Sequence, residues 1–431
     1  MKTSAVTGLR CVRCSRVYEE QPDLYTCLDC GIAGILDIEY DYDRVRVELN
    51  GETLASNRDA NIWRYLPVLP IGRNARLPRL QLSLTPIYEA PALARELGLA
   101  GLLIKDEGRN PTGSFKDRAS AIGVTRATEL GRTTISVAST GNAASSLAGF
   151  AASMGLQAFI FVPETAPEAK ITQLLVYGAT VFTVRGSYDQ AYYLAMDAAQ
   201  AFGWYNRNCA INAYLVEGKK TCGLEIGEQL RDNLPDVVAV AVGDGCTIAG
   251  IGKGLVEMKE LGITDRVPRL LGVQAAGAAP IATCYRQQQS YALAPTFQGS
   301  AAATLVPVEA RTVADSIAVG QPRNATKAMR AVAATGGDFI TVSDEQILAA
   351  IPRLARATGV FAEPAGAAAL AGVIAARAAG LIGSHERVLV VATGNGLKDI
   401  KSARKAVGQP HMVAPHLADV RAVLMAMAAS V

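Results

Sequence analysis

The chain has 431 residues, half of them hydrophobic, which is enough to bury a large core in about two or three structural units. Its net charge is only +3 with both signs interspersed, which excludes the basic stripe that nucleic acid or an anionic membrane surface would require. The start of the chain carries no apolar leader, and the longest weakly polar stretch contains Glu363 and Arg377. We therefore expect a soluble, cytoplasmic protein.

Four of the eight cysteines lie close together near the start of the chain. Cys11 and Cys14 form one C-x2-C pair, Cys27 and Cys30 form another, and the spacing is typical of four thiolates around one tetrahedral Zn²⁺. Four cysteine ligands leave no open position, so such a zinc would be structural. Disulfides, which a cytosolic protein disfavours, and a fold that has lost its metal are the alternatives. We predict a zinc-ribbon-like module with an arm at residues 1–50.

The sequence after this module predicts a strand over ILDIEYDYDRVRVEL, then a linker and a turn-rich segment. Beyond them, predicted strands alternate with predicted helices. The predicted strands are TTISVAST, QAFIFVPE, ATVFTVRG, DVVAVAVG, RLLGVQA and VLVVAT. Apolar strands separated by helices indicate a mostly parallel sheet covered on both faces, which binds ligands at the carboxyl ends of its strands. We assign this α/β catalytic region to residues 51–408, and a linker and packing or interface helix to residues 409–431.

The stretch NPTGSFKDR, residues 110–118, places a lysine at a predicted helix start. Ser114 is predicted to cap the helix, with Asp117 in its first turn. The positive end of the helix dipole and burial would both push the amine of Lys116 toward its neutral, nucleophilic form. From these nine residues alone, an ordinary surface lysine is the alternative.

Three further strand ends are rich in glycine or carry a hydroxyl. STGN at residues 139–142 precedes a helix, whose first backbone N–H groups would suit a carboxylate. GDGCT at residues 243–247 follows a strand and begins the next helix, where backbone amides can bind a phosphate. Thr393 closes a buried strand and can hydrogen-bond to a buried heteroatom. Taken singly, a capped turn, a glycine-rich turn and a core threonine explain these features equally well.

Together these features resemble the threonine synthase group of fold type II pyridoxal 5'-phosphate (PLP) enzymes, which have the tryptophan synthase β-like fold. The similar blocks, in the order of that group, are NPTGSFKDR, STGNAAS, EGKKT, FAEPAGAA and TGNGLKD. The resemblance implies two three-layer α/β domains after the cysteine module, with a smaller mobile subdomain at about residues 117–180. It also implies a homodimer.

The resemblance further implies roles for the matching residues. Lys116 would bind PLP covalently and later remove the Cα proton of an amino-acid substrate, Asn142 would donate to the phenolic oxygen of PLP, and Thr393 would meet its pyridine nitrogen. The substrate carboxylate would be held by Ser139, Thr140 and Gly141. The phosphate of PLP would be bound by Gly243, Asp244, Gly245, Cys246 and Thr247. Glu363 is either a helix-terminal charge or a wall beside the ring.

The implied activity is conversion of O-phospho-L-homoserine and water into L-threonine and phosphate, but two blocks depart from the group. Leu215 in NAYLVEGKKT stands where an arginine is expected, so Lys220, with Lys219, is the predicted substitute. The block TVADSIAVGQPRN is more similar to threonine and serine dehydratases, although Arg323 in it can still bind an anionic substrate. The alternatives are a threonine or serine ammonia-lyase, a β-replacement enzyme on another activated amino acid, and a non-enzymatic zinc-ribbon binding protein.

Overall fold

The structure is a computed structural model that describes residues 4–82, 84–164, 166, 168–186, 188–289 and 305–428. Its first unit is a four-stranded antiparallel sheet in the order β2-β1-β4-β3, followed by two short helices. These elements are β1 (Val6–Cys11), β2 (Val17–Tyr18), β3 (Thr26–Cys27), β4 (Gly31–Tyr40), α1 (Tyr42–Glu48) and α2 (Gly51–Ser56).

Strands and helices alternate through the rest of the chain, as the sequence predicts. The strands are β5 (Ile87–Glu89), β6 (Gly101–Asp106), β7 (Thr134–Ala138), β8 (Gln157–Pro163), β9 (Thr180–Val184), β10 (Tyr205–Asn206), β11 (Val237–Ala241), β12 (Arg269–Ala275), β13 (Asp338–Val342) and β14 (Arg387–Ala392). The helices are α3 (Pro91–Leu97), α4 (Lys116–Glu129), α5 (Asn142–Met154), α6 (Glu168–Val176), α7 (Tyr188–Phe202), α8 (Ala213–Gln229), α9 (Cys246–Glu260), α10 (Pro280–Gln289), α11 (Ala325–Ala334), α12 (Asp344–Thr358), α13 (Pro364–Ala378), α14 (Ile400–Lys405) and α15 (Leu417–Ala428).

These strands form two separate sheets. The smaller one is fully parallel, in the order β10-β7-β8-β9, and its strands lie between residues 134 and 206. The larger one, in the order β13-β12-β11-β14-β6-β5, is parallel except for its edge strand β5. Parallel strands place all their carboxyl ends at one edge, so the turns after β7, β11 and β14 are the turns that can carry ligand contacts.

The strand predicted over residues 35–49 is correct only in its first half. The strand ends at Tyr40, and the following residues form α1. Asp41 interrupts the strand because its carboxylate accepts a hydrogen bond from the backbone N–H of Arg44, at 3.1 Å, and so caps the new helix. Val45 is buried and Val47 is exposed, so the apolar alternation that indicated a strand instead marks opposite sides of a helix.

Ion pairs and a buried hydrogen bond join the cysteine module to the main body. The carboxylate of Asp37 on β4 accepts hydrogen bonds from Lys253 at 3.2 Å and Lys327 at 3.1 Å. Tyr40 donates to Glu217 of α8 at 2.8 Å. The module is therefore packed on α8, α9 and α11. No helix among the described residues has both the length and the apolar character that crossing a membrane requires.

Candidate active site

The segment that carries Lys116 is fixed to the end of β14. Ser114 and Gly394 form an antiparallel bridge, and the backbone N–H of Phe115 donates to the carbonyl oxygen of Thr393 at 2.9 Å. Arg118, in the first turn of α4, donates hydrogen bonds to the buried carboxylates of Glu107 and Glu225 at 2.7 Å each. These contacts hold the start of α4 at the carboxyl edge of the larger sheet.

The predicted cap of this helix differs from the observed one. Phe115 occupies the N-cap position without a side-chain cap, and the Oγ of Ser114 accepts from the backbone N–H of Lys116 at 3.4 Å. The carboxylate of Asp117 is directed to the preceding turn, where it accepts from the backbone N–H of Thr112 at 2.7 Å and from its hydroxyl at 2.5 Å. Asp117 therefore fixes the turn before α4.

The surroundings of Lys116 favour its neutral amine. Burial, and then the neighbouring ammonium of Lys219, lower the pKa of Lys116 from 10.5 to about 8, and Arg207 acts in the same direction. Glu363 and Cys209 oppose this shift. Close to neutral pH a useful fraction of the amine is therefore unprotonated, as a nucleophile or base must be.

The segment Gly243–Thr247, here called the glycine loop, follows β11 and includes the first two residues of α9. Gly245 has a φ of +96°, and a Cβ there would lie 2.7 Å from the carbonyl oxygen of Asn324. The carboxylate of Asp244 accepts from the backbone N–H of Arg323 at 2.6 Å, so this side chain serves the loop itself. Cys246 and Thr247 begin α9, where backbone N–H groups form a cradle suited to an anion.

The thiol of Cys246 connects the glycine loop with the surroundings of Lys116. Cys246 donates from its Sγ to the carbonyl oxygen of Cys209 at 3.4 Å, and Cys209 lies within electrostatic range of Lys116. Lys219 on α8 interacts electrostatically with Cys209, which raises the pKa of Lys219 against the effect of burial. In the sequence, Cys209 carries no recognisable motif, and only its packing assigns it to the site.

The start of α5 faces the start of α13 across the site. The side-chain amide of Asn142 donates to Glu363 at 2.7 Å and to the hydroxyl of Ser316 at 3.3 Å. Glu363 lies at the N-cap position of α13, yet its carboxylate makes no capping hydrogen bond. It instead forms a buried wall beside Asn142 and Lys116, and burial raises its pKa, against the effect of Lys116. Thr393 directly follows β14.

An open cleft of about 420 Å³ leads to this centre. Its lining includes Thr140, Gly141 and Asn142 from the turn predicted to hold a carboxylate. Ser139 braces that turn, because its hydroxyl accepts from the backbone N–H of Gly141 at 3.2 Å. The cleft also exposes the ammonium groups of Lys170 and Lys398, neither of which the sequence indicated.

Lys220 and Arg323, which the sequence offered for an anionic substrate, do not line this cleft. Lys220 is fully buried between Glu217, at 2.6 Å, and Glu257, at 3.0 Å. The guanidinium of Arg323 lies 4.2 Å from the ring centroid of Tyr192, on the glycine-loop side. Leu215 is fully buried in the core.

The four clustered cysteines meet as their spacing predicts. The Sγ atoms of Cys11, Cys14, Cys27 and Cys30 all lie within 4.8 Å of one another, and none forms a disulfide. Gly34 permits this approach, because a Cβ there would lie 2.5 Å from the Cβ of Cys30. Four thiols at this separation are a donor set suited to one tetrahedral metal ion.

The main site has the groups that PLP needs. Lys116 offers an amine of lowered pKa, the glycine loop offers a helix N-terminus for a phosphate, and a Cβ at Gly245 would disturb this cradle. Asn142, which donates to Glu363, and Thr393, whose carbonyl oxygen accepts from Phe115, add polar groups to the site. The residues present therefore fit PLP.

Comparison with known proteins agrees with this chemistry. Residues 79–394 match the family described as "Pyridoxal-phosphate dependent enzyme". The chain is 38% identical to a threonine synthase of Methanocaldococcus jannaschii, over 93% of this chain and 95% of that protein. It is 37% identical to a threonine synthase of Methanosarcina acetivorans, over 96% of this chain and 97% of that protein.

Solved structures show the same fold at lower identity. Diaminopropionate ammonia lyase from Escherichia coli superposes with a TM-score of 0.61 over 94% of this chain and 98% of that one, at 18% identity. Threonine deaminase isoform 2 from Solanum lycopersicum gives a TM-score of 0.62 over 75% of this chain and 83% of that one, at 23% identity. The predicted fold type II architecture is thereby confirmed. The chain belongs to the pyridoxal-phosphate-dependent enzyme family and, within it, to the threonine synthase group.

Proposed function

We propose that this protein is a PLP-dependent carbon–oxygen lyase that converts O-phospho-L-homoserine and water into L-threonine and phosphate. The observation that carries the proposal is the setting of Lys116: its amine has a lowered pKa, the residue before it is hydrogen-bonded to Thr393, and Cys209 lies near both Lys116 and the glycine loop. This arrangement occurs in a chain that matches two threonine synthases along nearly its whole length. An ordinary surface lysine would have neither the lowered pKa nor these neighbours.

Different residues of the site have different roles in the proposed reaction. PLP, when bound, withdraws electrons from the substrate carbon that loses its proton. The neutral amine of Lys116 accepts that proton, while the turn of Ser139, Thr140 and Gly141 at the start of α5 holds the substrate carboxylate. Thr393 offers the pyridine nitrogen a neutral hydroxyl, which does not force protonation of the ring and so suits elimination and replacement.

A second candidate is a threonine or serine ammonia-lyase, or a β-replacement enzyme on another activated amino acid. The observation that favours it is the burial of Leu215. The Cδ2 of Leu215 packs against Gly123, at 2.8 Å from the position that a Cβ would take there. Position 215 therefore packs in the core against α4. An enzyme that does not bind a phosphorylated substrate needs no guanidinium there.

The test measures phosphate and ammonia release side by side from the PLP-loaded protein. The substrates are O-phospho-L-homoserine, L-threonine and L-serine, and the Lys116→Ala variant is the control for background release. Phosphate release with threonine formed supports the first proposal. Ammonia and a 2-oxo acid from threonine or serine, with O-phospho-L-homoserine untouched, would replace it with the second.

We also propose that Cys11, Cys14, Cys27 and Cys30 bind a structural Zn²⁺. The mutual approach of their sulfurs within 4.8 Å supports this. Metal analysis of the purified protein should find about one zinc per chain. Zinc-free protein with an unchanged melting temperature would contradict the proposal.

We further propose a cytoplasmic homodimer. The free state of all eight cysteines suits a reducing compartment. Helix α15 supports association, because none of its described residues is buried in this chain and it exposes apolar side chains that include Leu417, Leu424 and Met425. Sedimentation equilibrium measures the mass, and a monomer at micromolar concentration would contradict the dimer.

A further inference from the structure

Lys398 is a cation of the cleft that carries no acidic partner in the described part of the chain. Its ammonium donates to the hydroxyl of Ser145 at 3.1 Å, and none of the observed ion pairs includes it. Gly113, with a φ of +80°, leaves room for its stem, since a Cβ there would lie 3.1 Å from the Cε of Lys398. The side chain is thus directed across the cleft between α5 and the segment before α4.

The acidic groups around Lys398 are engaged elsewhere. Asp315 forms an ion pair with Lys170, and Asp399 accepts from the backbone N–H of Ser402 at 3.0 Å. Glu363 accepts from Asn142, and Asp117 accepts twice from Thr112. The last two acids stabilise the ammonium only at longer range, while burial lowers its pKa. Removing an ammonium group from water costs free energy, and one hydrogen bond to a neutral acceptor offsets only part of that cost.

A bound anion would complete this arrangement. Asn142 begins α5 beside the turn that holds the substrate carboxylate, and Ser145 is its i+3 neighbour, so their Cβ atoms are about 5–6 Å apart. The side chain of an amino acid bound at this turn can extend over that distance. Its terminal group would then reach the Lys398 ammonium and the Ser145 hydroxyl.

We propose that Lys398 binds the anionic leaving group on the substrate side chain, with the Ser145 hydroxyl as its neighbour. The substrate class is an amino acid that carries a tetrahedral oxyanion, such as a phosphomonoester, on its side chain. This inference rests on the proposed function for the choice of phosphate. It also accounts for the core position of Leu215, because the positive charge is supplied from the segment after β14.

The test compares two ligands that cannot lose a leaving group. Norvaline and 2-amino-5-phosphonopentanoate share the amino-acid part, and only the second carries an oxyanion, attached through a carbon–phosphorus bond. Their dissociation constants are measured by calorimetry on PLP-loaded wild type, Lys398→Met, Lys398→Arg and Lys401→Met. Lys401 is a matched control, because it is an exposed lysine on α14 just beyond the cleft.

Wild type should bind the phosphonate more tightly than norvaline. Lys398→Met should weaken phosphonate binding at least about tenfold and change norvaline binding less than about twofold. Lys398→Arg, which keeps the charge, should retain most of the preference, and Lys401→Met should match wild type. Equal binding of both ligands by wild type, equal loss of both in Lys398→Met, or no loss would overturn the proposal.

These results separate the subsite from the activity. A preference for the phosphonate that depends on Lys398, in a protein that releases no phosphate from O-phospho-L-homoserine, keeps the subsite and rejects the proposed function. Phosphate release with the same kcat/KM in Lys398→Met rejects the subsite and keeps the function. Retention of the visible absorbance of bound PLP verifies that each variant is folded at the site.

Discussion

The lysine that makes this site reactive should also destabilise the protein when PLP is absent. Without cofactor, the amine of Lys116 stays largely buried beside Lys219 and Arg207, with Glu363 as its nearby acid. Replacing it with methionine keeps the length of the side chain and removes the charge. We therefore predict that cofactor-free Lys116→Met is more stable toward unfolding than cofactor-free wild type at neutral pH.

The magnitude follows from the shift in pKa. The pKa of Lys116 is about 8 in the folded protein, below its ordinary value of 10.5. At pH 7 this difference lowers the free energy of unfolding by about 3 kcal/mol. Between these two values the unfolded chain binds more protons than the folded one, so the stability of wild type rises with pH through this window. The penalty is complete below about pH 8, falls to about half by pH 9.5 and disappears above the ordinary pKa.

The assay is urea unfolding of cofactor-free wild type, Lys116→Met and Lys401→Met at a series of pH values from 7 to 10. The advantage of Lys116→Met over wild type should shrink as the pH rises, whereas exposed Lys401→Met should follow wild type throughout. A destabilised Lys116→Met, or an advantage that does not depend on pH, would refute the reasoning. The same variant should have no turnover and no visible PLP absorbance.

Three further substitutions test the surroundings of the site. Gly245→Ala places a Cβ 2.7 Å from Asn324 and should weaken PLP affinity by spectroscopic titration, whereas Gly262→Ala, also at positive φ but with open space, should not. Arg118→Met leaves the buried carboxylate of Glu107 without its ion-pair partner and Glu225 with Lys105 alone, and should cost at least about 3 kcal/mol in urea unfolding; a loss below about 1 kcal/mol would contradict it. Cys14→Ser should lower the zinc content and the melting temperature with kcat unchanged, and an altered kcat would show that the module affects the chemistry.

The alternation of strands and helices was predictable because its signals are local. The strand TISVA carries no charged residue and is buried at every position, as a strand covered on both faces must be, and Gly141 immediately precedes helix α5. The same succession of strand, turn and helix recurs at the glycine loop. Parallel strands bring such turns to one edge, so the sequence indicates the neighbourhood of the site before any distance is known.

The contacts between distant segments were not predictable in this way. Cys209 lies in a turn and Lys398 in a short 3-10 helix, both with sequences that are compatible with many environments, and their neighbours in space come from other helices. The pairing of Asn142 with Glu363 joins residues 221 positions apart in the chain. Such contacts depend on how two sheets and their helices pack, which no short window of sequence contains.

The pair Lys219 and Lys220 shows this limit most directly. Successive residues on a helix point about 100° apart, so only one of two adjacent lysines can face a given site. Packing places Lys219 beside Cys209 and turns Lys220 toward Glu217, Glu257 and the ring of Tyr40, 4.0 Å from its ammonium. The motif EGKKT predicts basic groups at this helix, but the docking of the cysteine module on α8 and α9 decides which of them joins the site. Lys220 therefore holds the cysteine module against the catalytic body, and Lys219 adds positive charge beside Lys116.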